Sequence, residues 1–195
     1  LPKIAHREGI GDLLAEGIAR THDELGVENW SVKGLDFAAH DGRVLHGQGP
    51  SYAVASRGGD HLYGNMLGQE YDGVVDPEGL FEEKIELLIH RENKMAVRDS
   101  AVICAFGLDD YVTEGDIATL LDTEWEHLDA IGERIVELER HFANRRGTDR
   151  RDDRLPYDLP DFETALDHYY ECRGWNDNGT VPEGRVRDSM MLADE

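Results

Sequence analysis

The chain has 195 residues, 39% of them apolar, enough for one domain with a substantial core or for one and a half smaller units. Its 20 Lys and Arg stand against 42 Asp and Glu, a formal charge of −22, which argues against nucleic-acid binding through phosphate neutralisation and against an anionic membrane surface. So acidic a chain repels itself when compact unless salt screens it, and its apolar content and helical periodicity speak for a salt-adapted cytoplasmic protein rather than for disorder.

The two cysteines, Cys104 and Cys172, form neither a disulfide framework nor a CxxC metal motif. There is no signal peptide and no apolar run of about 18 residues, so the sequence reads as soluble and cytoplasmic. It opens on Leu1 and enters a helical pattern within a few residues, as a fragment or a processed piece does.

In chain order, residues 7 to 25 predict a helix with Ile10, Leu13, Leu14, Ile18 and Leu25 near one face and Gly26 as its stop. Gly9, Gly11 and Gly17 weaken it by up to ~1 kcal/mol each relative to Ala, which points to close helix packing at those positions. Trp30 to Asp36 reads as a short extended segment. From Ala39 to Gly73 the chain is dense in glycine, with His40, His46 and His61 among them. Gly-Gln-Gly-Pro-Ser-Tyr and Arg-Gly-Gly-Asp-His-Leu-Tyr-Gly are neither a GxGxxG turn after a strand nor a P-loop. They predict loops, or backbone drawn close to a large cofactor.

Asp76-Pro77 begins a long helical pattern through Leu80, Ile85, Leu88 and Met95 that runs into Asp99-Ser-Ala-Val-Ile-Cys104-Ala-Phe106. On an unbroken helix, residues five apart point about 140° from each other. If Asp99 and Cys104 serve one site, the helix ends or distorts near Ile103; a core helix with a buried thiol and a capped or paired Asp is the plain alternative. Thr113 opens a short helix to about Leu121, and Thr123-x-x-Glu126 is a capping-box signal for the next. In that next helix Trp125, Leu128, Ile131, Ile135, Leu138 and Phe142 form a stripe, with Glu133, Arg134, Glu137 and Arg140 on the other side.

Residues 147 to 160 read as a charged, proline-bearing loop. Asp161 can cap a last helix that buries Leu166, Tyr169 and Tyr170 and stops at Gly174; the tail after Trp175 has little pattern. Glu124 and His127, three apart, read as a solvated face, and Cys172, beside Tyr170 and Trp175, as packing. No Ser-His-Asp or Cys-His arrangement follows from spacing. The whole is mainly α and multi-helical, without internal repeats.

Seven ordered blocks carry a resemblance. They are Arg-Glu-Gly-Ile-Gly-Asp-Leu-Leu-Ala-Glu-Gly (7 to 17), Val-Lys-Gly-Leu-Asp (32 to 36), Arg-Gly-Gly-Asp-His-Leu (57 to 62) and the Asp99 to Phe106 stretch. Glu-Arg-Ile-Val-Glu-Leu-Glu-Arg (133 to 140), Arg-Arg-Asp-Asp-Arg-Leu-Pro (150 to 156) and Tyr-Tyr-Glu-Cys-Arg-Gly-Trp (169 to 175) complete the series. Together they resemble the C-terminal portion of the aldehyde ferredoxin oxidoreductase family. The resemblance implies that residues 1–38 end a middle helical domain, that 39–195 form the C-terminal helical domain, and that the pterin-binding N-terminal β domain is absent from this chain.

It further implies oxidation of an aldehyde to a carboxylic acid at a tungsten (or molybdenum) bispterin, with electrons passing through a [4Fe–4S] cluster to ferredoxin. Asp99 would accept paired hydrogen bonds from the donor edge of a pterin, with the Ile103 backbone touching it. Cys104 would be one of four cluster thiolates, the other three lying in an upstream CxxCxxxC that this chain lacks. His61 matches a histidine close to the metal, a proton donor or substrate-orienting group; a loop histidine bonded to a carboxylate is its plain alternative. Tyr63 stands at a cofactor-contacting position where the family has a basic residue, Val102 replaces a common glycine, which reads as a mild change, and the segment between Pro156 and Leu166 is shorter than the family's. The implied partners are ferredoxin, the aldehyde, the rest of the same polypeptide and a second copy of the chain. A non-catalytic acidic interaction module derived from such an enzyme is the reading from a different class.

Overall fold

Glycine divides what periodicity reads as one N-terminal helix into three. The computed structural model describes residues 1–104 and 112–191, and in it α1 (Pro2–Ala5), α2 (Ile10–Leu14) and α3 (Ile18–Leu25) are separate. Gly9 and Gly17 hold positive φ of 58° and 88° at the breaks, a backbone region open to Gly at little cost. Close packing explains only Gly11, where an added Cβ would stand 2.2 Å from the Lys3 carbonyl oxygen; nothing crowds Gly9 or Gly17. Gly26 ends α3 in the left-handed region, as the sequence predicts.

The extended segment is a minimal antiparallel hairpin, β1 (Ser31–Val32) and β2 (Leu35–Asp36), with Val32 opposite Leu35. Its two-residue turn, Lys33-Gly34, has φ of 51° and 81°, the signature of the tight turn that matches strand twist. Gly58 and Gly59 pack against this hairpin: a Cβ on Gly58 would lie 2.1 Å from the Val32 carbonyl oxygen. The glycine-rich region is not loop alone. It holds α4 (Gln48–Val54), every residue of which is buried, and α5 (Met66–Tyr71). Burial against α9 (Phe162–Arg173) overrides the weak helix propensity of Gly49 and Pro50.

The centre of the fold is α6 (Phe81–Ser100), which packs on α8 (Trp125–Arg145) and on α9. Ile85, Leu88, Met66, Val54, Val136, Leu166, Tyr169, Tyr170 and Trp175 make the core. Gly132 lets α8 touch the backbone of α6: a Cβ there would stand 2.3 Å from the Asn93 carbonyl oxygen. A smaller cluster of Val97, Ile117, Ala118 and Leu128 seats α7 (Glu114–Leu120). The capping box forms here, between Thr113 and Asp116, and not at Thr123–Glu126; the N-cap of α8 is Glu124, which makes no side-chain cap bond.

One further expectation is corrected. The tail forms α10 (Glu183–Met191), whose Arg185 Nε donates to Glu137 Oε1 (2.5 Å) and whose Ser189 hydroxyl donates to Glu137 Oε2 (2.8 Å). Glu137 is therefore buried among polar partners, and Arg140 is buried too, because α8 is enclosed on its charged side as well. Glu124 and His127 are exposed, as expected of a solvated face. Among the described residues the protein is mainly α, and no helix is long and apolar enough to cross a membrane.

Candidate functional site

The end of α6 shapes the site. Val102 N–H donates to the Asp99 carbonyl and Ile103 N–H to the Arg98 carbonyl, both at 3.0 Å, the paired bonds that close a helix on a left-handed residue. That residue is Val102, at φ 58° and 92% exposed. Val for the common glycine is thus not a mild change: a β-branched side chain in this region is strained, by about 1–2 kcal/mol.

The helix stops at Ser100 and the chain turns before Ile103, so Asp99 in the last turn and Cys104 after it are both exposed. This overturns the buried-thiol alternative. Ile103 is half-buried against the α7 cluster. Ala105 and Phe106, which complete the motif, lie outside the described residues.

Asp99 borders a cleft of about 770 Å³ whose walls come from the 56–63 loop, α6 and α8. Tyr63 lines the same cleft, so two of the expected cofactor contacts share one cavity. Met95, Leu138 and Phe142 give it an apolar side; Arg57 and Arg146 give it cations. Ile103, Cys104 and His61 do not line it.

His61 lies one residue from the cleft-lining Leu62, half-buried. Its ring meets that of His40 edge-on, centroids 5.1 Å apart. Burial pushes its pKa below the ordinary value and the His40 charge adds to this, against the pull of Asp60. Asp60 is itself buried, its Oδ1 accepting from Leu62 N–H (2.8 Å) and its Oδ2 2.9 Å from Arg57 Nη1.

Glu139, on the α8 wall, was not picked out by sequence reasoning. Its Oε2 is buried without a hydrogen-bond partner, and burial pushes its carboxyl above the usual range. No periodic signal separates it from the other charges of α8. Cys172, expected to pack, is exposed on α9 with Sγ 3.6 Å from His168 Nε2; burial pushes its thiol up, as do Glu86 and Glu171.

The donor set can be weighed against the implied cofactors. An exposed carboxylate accepts only, so Asp99 at the rim of a large cleft fits the amino and ring N–H edge of a pterin. Cys104, as an exposed thiol after a fixed turn, fits a single soft ligand. Among the described residues, no group of three or more His, Cys, Asp or Glu stands ready to hold a metal ion, so a cluster at Cys104 needs thiolates from elsewhere.

The model of "aldehyde ferredoxin oxidoreductase, domains 2 and 3" matches residues 1–188. The tungsten-containing aldehyde ferredoxin oxidoreductase of Pyrococcus furiosus is 35% identical, over 96% of this chain and 35% of that protein. That of Thermococcus kodakarensis is 33% identical with the same coverage. The WOR-like subunit of an aliphatic sulfonate oxidoreductase of Pyrococcus furiosus is 28% identical over 98% of the chain and 34% of that protein. The chain thus spans about a third of the length of these relatives. Among solved structures, the active-site complex BamBC of benzoyl coenzyme A reductase shares the fold, with a TM-score of 0.70 at 18% identity over 97% of this chain and 37% of that one.

Proposed function

The chain belongs to the aldehyde ferredoxin oxidoreductase family, and from that premise we propose that it is the C-terminal portion of an enzyme oxidising an aldehyde to a carboxylic acid at a tungsten- (or molybdenum-) bispterin centre, with electrons leaving through a four-iron cluster to ferredoxin. The observation that carries the reading is the turn at Val102, which leaves the Asp99 carboxylate and the Cys104 thiol both exposed a few residues apart. Exposed acceptor and exposed thiol at one helix end suit a surface completed by other parts of a larger enzyme.

In this reading Asp99 holds the donor edge of a pterin and the Ile103 backbone touches it. Tyr63 offers one neutral hydroxyl where a basic residue would offer charge, which leaves Arg57 and Arg146 as the cations of the cleft. Cys104 supplies one of four thiolates. His61 orients the substrate or donates a proton from a ring nitrogen. The bound metal centre supplies the two-electron chemistry, and this chain supplies a wall of its pocket. Residues 1–38 close a middle domain and 39–195 form the last one. A relative named for aliphatic sulfonates makes the aldehyde the part of the proposal most in need of a direct assay.

The test uses the full-length protein carrying this chain, assayed for tungsten, molybdenum and iron and for the EPR signal of the reduced cluster. Cys104→Ser should lose the signal or iron, because an alcohol binds iron far less well than a thiolate, while Cys172→Ser should change neither. Full iron and normal electron transfer in Cys104→Ser would reduce Cys104 to a surface thiol. Absence of every metal from the wild type would favour a non-catalytic interaction module.

A further inference from the structure

His40 has no part in the reading above, yet its ring lies against that of His61. The two meet edge to face, centroids 5.1 Å apart and planes at 70°. They come from different loops, one before α4 and one after it. His40 is fixed in place: its carbonyl accepts from the hydroxyl of Tyr52, a fully buried residue (3.1 Å), and its N–H donates to Ala38 (2.7 Å). With Trp30, Phe37, Tyr157 and the neighbouring Asp41 it lines a small pocket of about 190 Å³.

We propose that His40 is a positioning residue for His61, holding that ring by the edge-on contact and setting a like charge beside it, so that a proton on His61 is more readily given up. Two imidazolium rings at this distance repel each other, and the nearby anions are already engaged. Asp60 is ion-paired to Arg57 and bonded to Leu62 N–H, and Asp41, next to His40, is gripped by Arg43 Nε and Nη2. Burial pushes the His61 pKa down, the His40 charge does the same, and Asp60 opposes both.

The inference rests on the proposed role of His61, but the first measurement does not. Ring C–H signals of the 195-residue chain are followed by NMR through its histidine range, with His61 identified by the loss of its peak in His61→Gln. His40→Phe keeps a ring in the contact and removes its charge. The His61 midpoint should rise by about half a pH unit or more, as expected for loss of a like charge at this range. A midpoint that stays or falls overturns the proposal. Should His40→Phe not fold, as judged by amide dispersion, His40→Gln is read in the same way. In the full-length enzyme the basic limb of the pH–rate profile, where a donor has lost its proton, should move up with the midpoint. A limb that stays while the midpoint moves leaves the pair intact and removes His61 from proton handling.

Discussion

Arg140 on α8 and Asp153 in the loop that follows match both guanidinium Nη atoms to both carboxylate oxygens, Nη1–Oδ1 at 3.0 Å and Nη2–Oδ2 at 2.6 Å, with side chains 1% and 0% exposed. Lys33, at the hairpin tip, reaches the same carboxylate at 2.7 Å and also donates to the Ala53 and Ala55 carbonyls at the end of α4. Tyr170 of α9 donates to Asp153 Oδ2 at 2.6 Å. One carboxylate thus ties the hairpin, α8 and α9. Burial pushes the Asp153 carboxyl up, but the Arg140 bonds and the Lys33 charge together hold it below the usual range. The Lys33 ammonium, by contrast, is pushed down by burial despite Asp153, so Arg140 is the counter-ion that fixes the charge.

Asp153→Ala leaves two buried cations facing each other and should cost about 3–5 kcal/mol in urea unfolding. The pH dependence has a definite sign. A carboxyl whose folded pKa is depressed contributes stability above its unfolded value of 3.8, and that stability is lost as pH falls through the folded value. Asp153→Asn should therefore flatten the acid limb of the stability curve. A loss below about 1 kcal/mol in Asp153→Ala would show the pair to be incidental.

Val102→Gly should stabilise the chain. Relief of a β-branched residue at φ 58° exceeds the added freedom of Gly in the unfolded state, for a net gain of about 1 kcal/mol, or roughly 2–4 °C at this length. A lower melting temperature for the variant would mean that Val102 does not hold this conformation in solution.

Glu139→Gln removes a charge that has no partner at Oε2. A carboxyl whose folded pKa is raised by burial contributes stability below its unfolded value of 4.5 and loses it as pH rises through the folded value. The variant should therefore melt about 2–4 °C higher near neutral pH, with the gap closing toward pH 4. Equal melting temperatures across that range would count against an uncompensated carboxylate.

Salt should stabilise the chain strongly, since a formal charge of −22 is screened within a few ångströms at molar ionic strength. Melting temperatures measured from about 0.05 to 2 M KCl give the answer. A flat series would remove the salt-adapted reading.

Legibility from sequence followed the physics of each element. α6, α8 and α9 announce themselves because Leu88, Leu128 and Leu166 belong to apolar stripes at helical spacing, and Gly174 closes α9 as predicted. The breaks at Gly9 and Gly17 were misread, since a glycine needed for positive φ looks the same in sequence as one needed for space. α4 was missed because tertiary burial, not propensity, makes it. The pairing of Arg140 with Asp153 was illegible: helical spacing finds partners three or four residues away, not across a loop. Cys172 sits between aromatic neighbours in sequence, but Tyr169, Tyr170 and Arg173 take the buried face of α9 and leave it outside. At the candidate site, the five-residue step from Asp99 to Cys104 calls for a helix end only if the two serve one site, whereas nothing in one sequence marks Glu139 or the ring contact of His40.

Gly132 does not line the cleft, yet it governs its width. Met95 and Asp99 on one wall belong to α6, and Leu138, Glu139 and Phe142 on the other to α8. Those helices come together where Gly132 rests on the Asn93 backbone, a contact that leaves no room for a single carbon more. A methyl group added there must lever one wall away from the other, and the cavity would change shape without any change in the residues that face it. The dimensions of this cleft are set by an absent methyl group outside it.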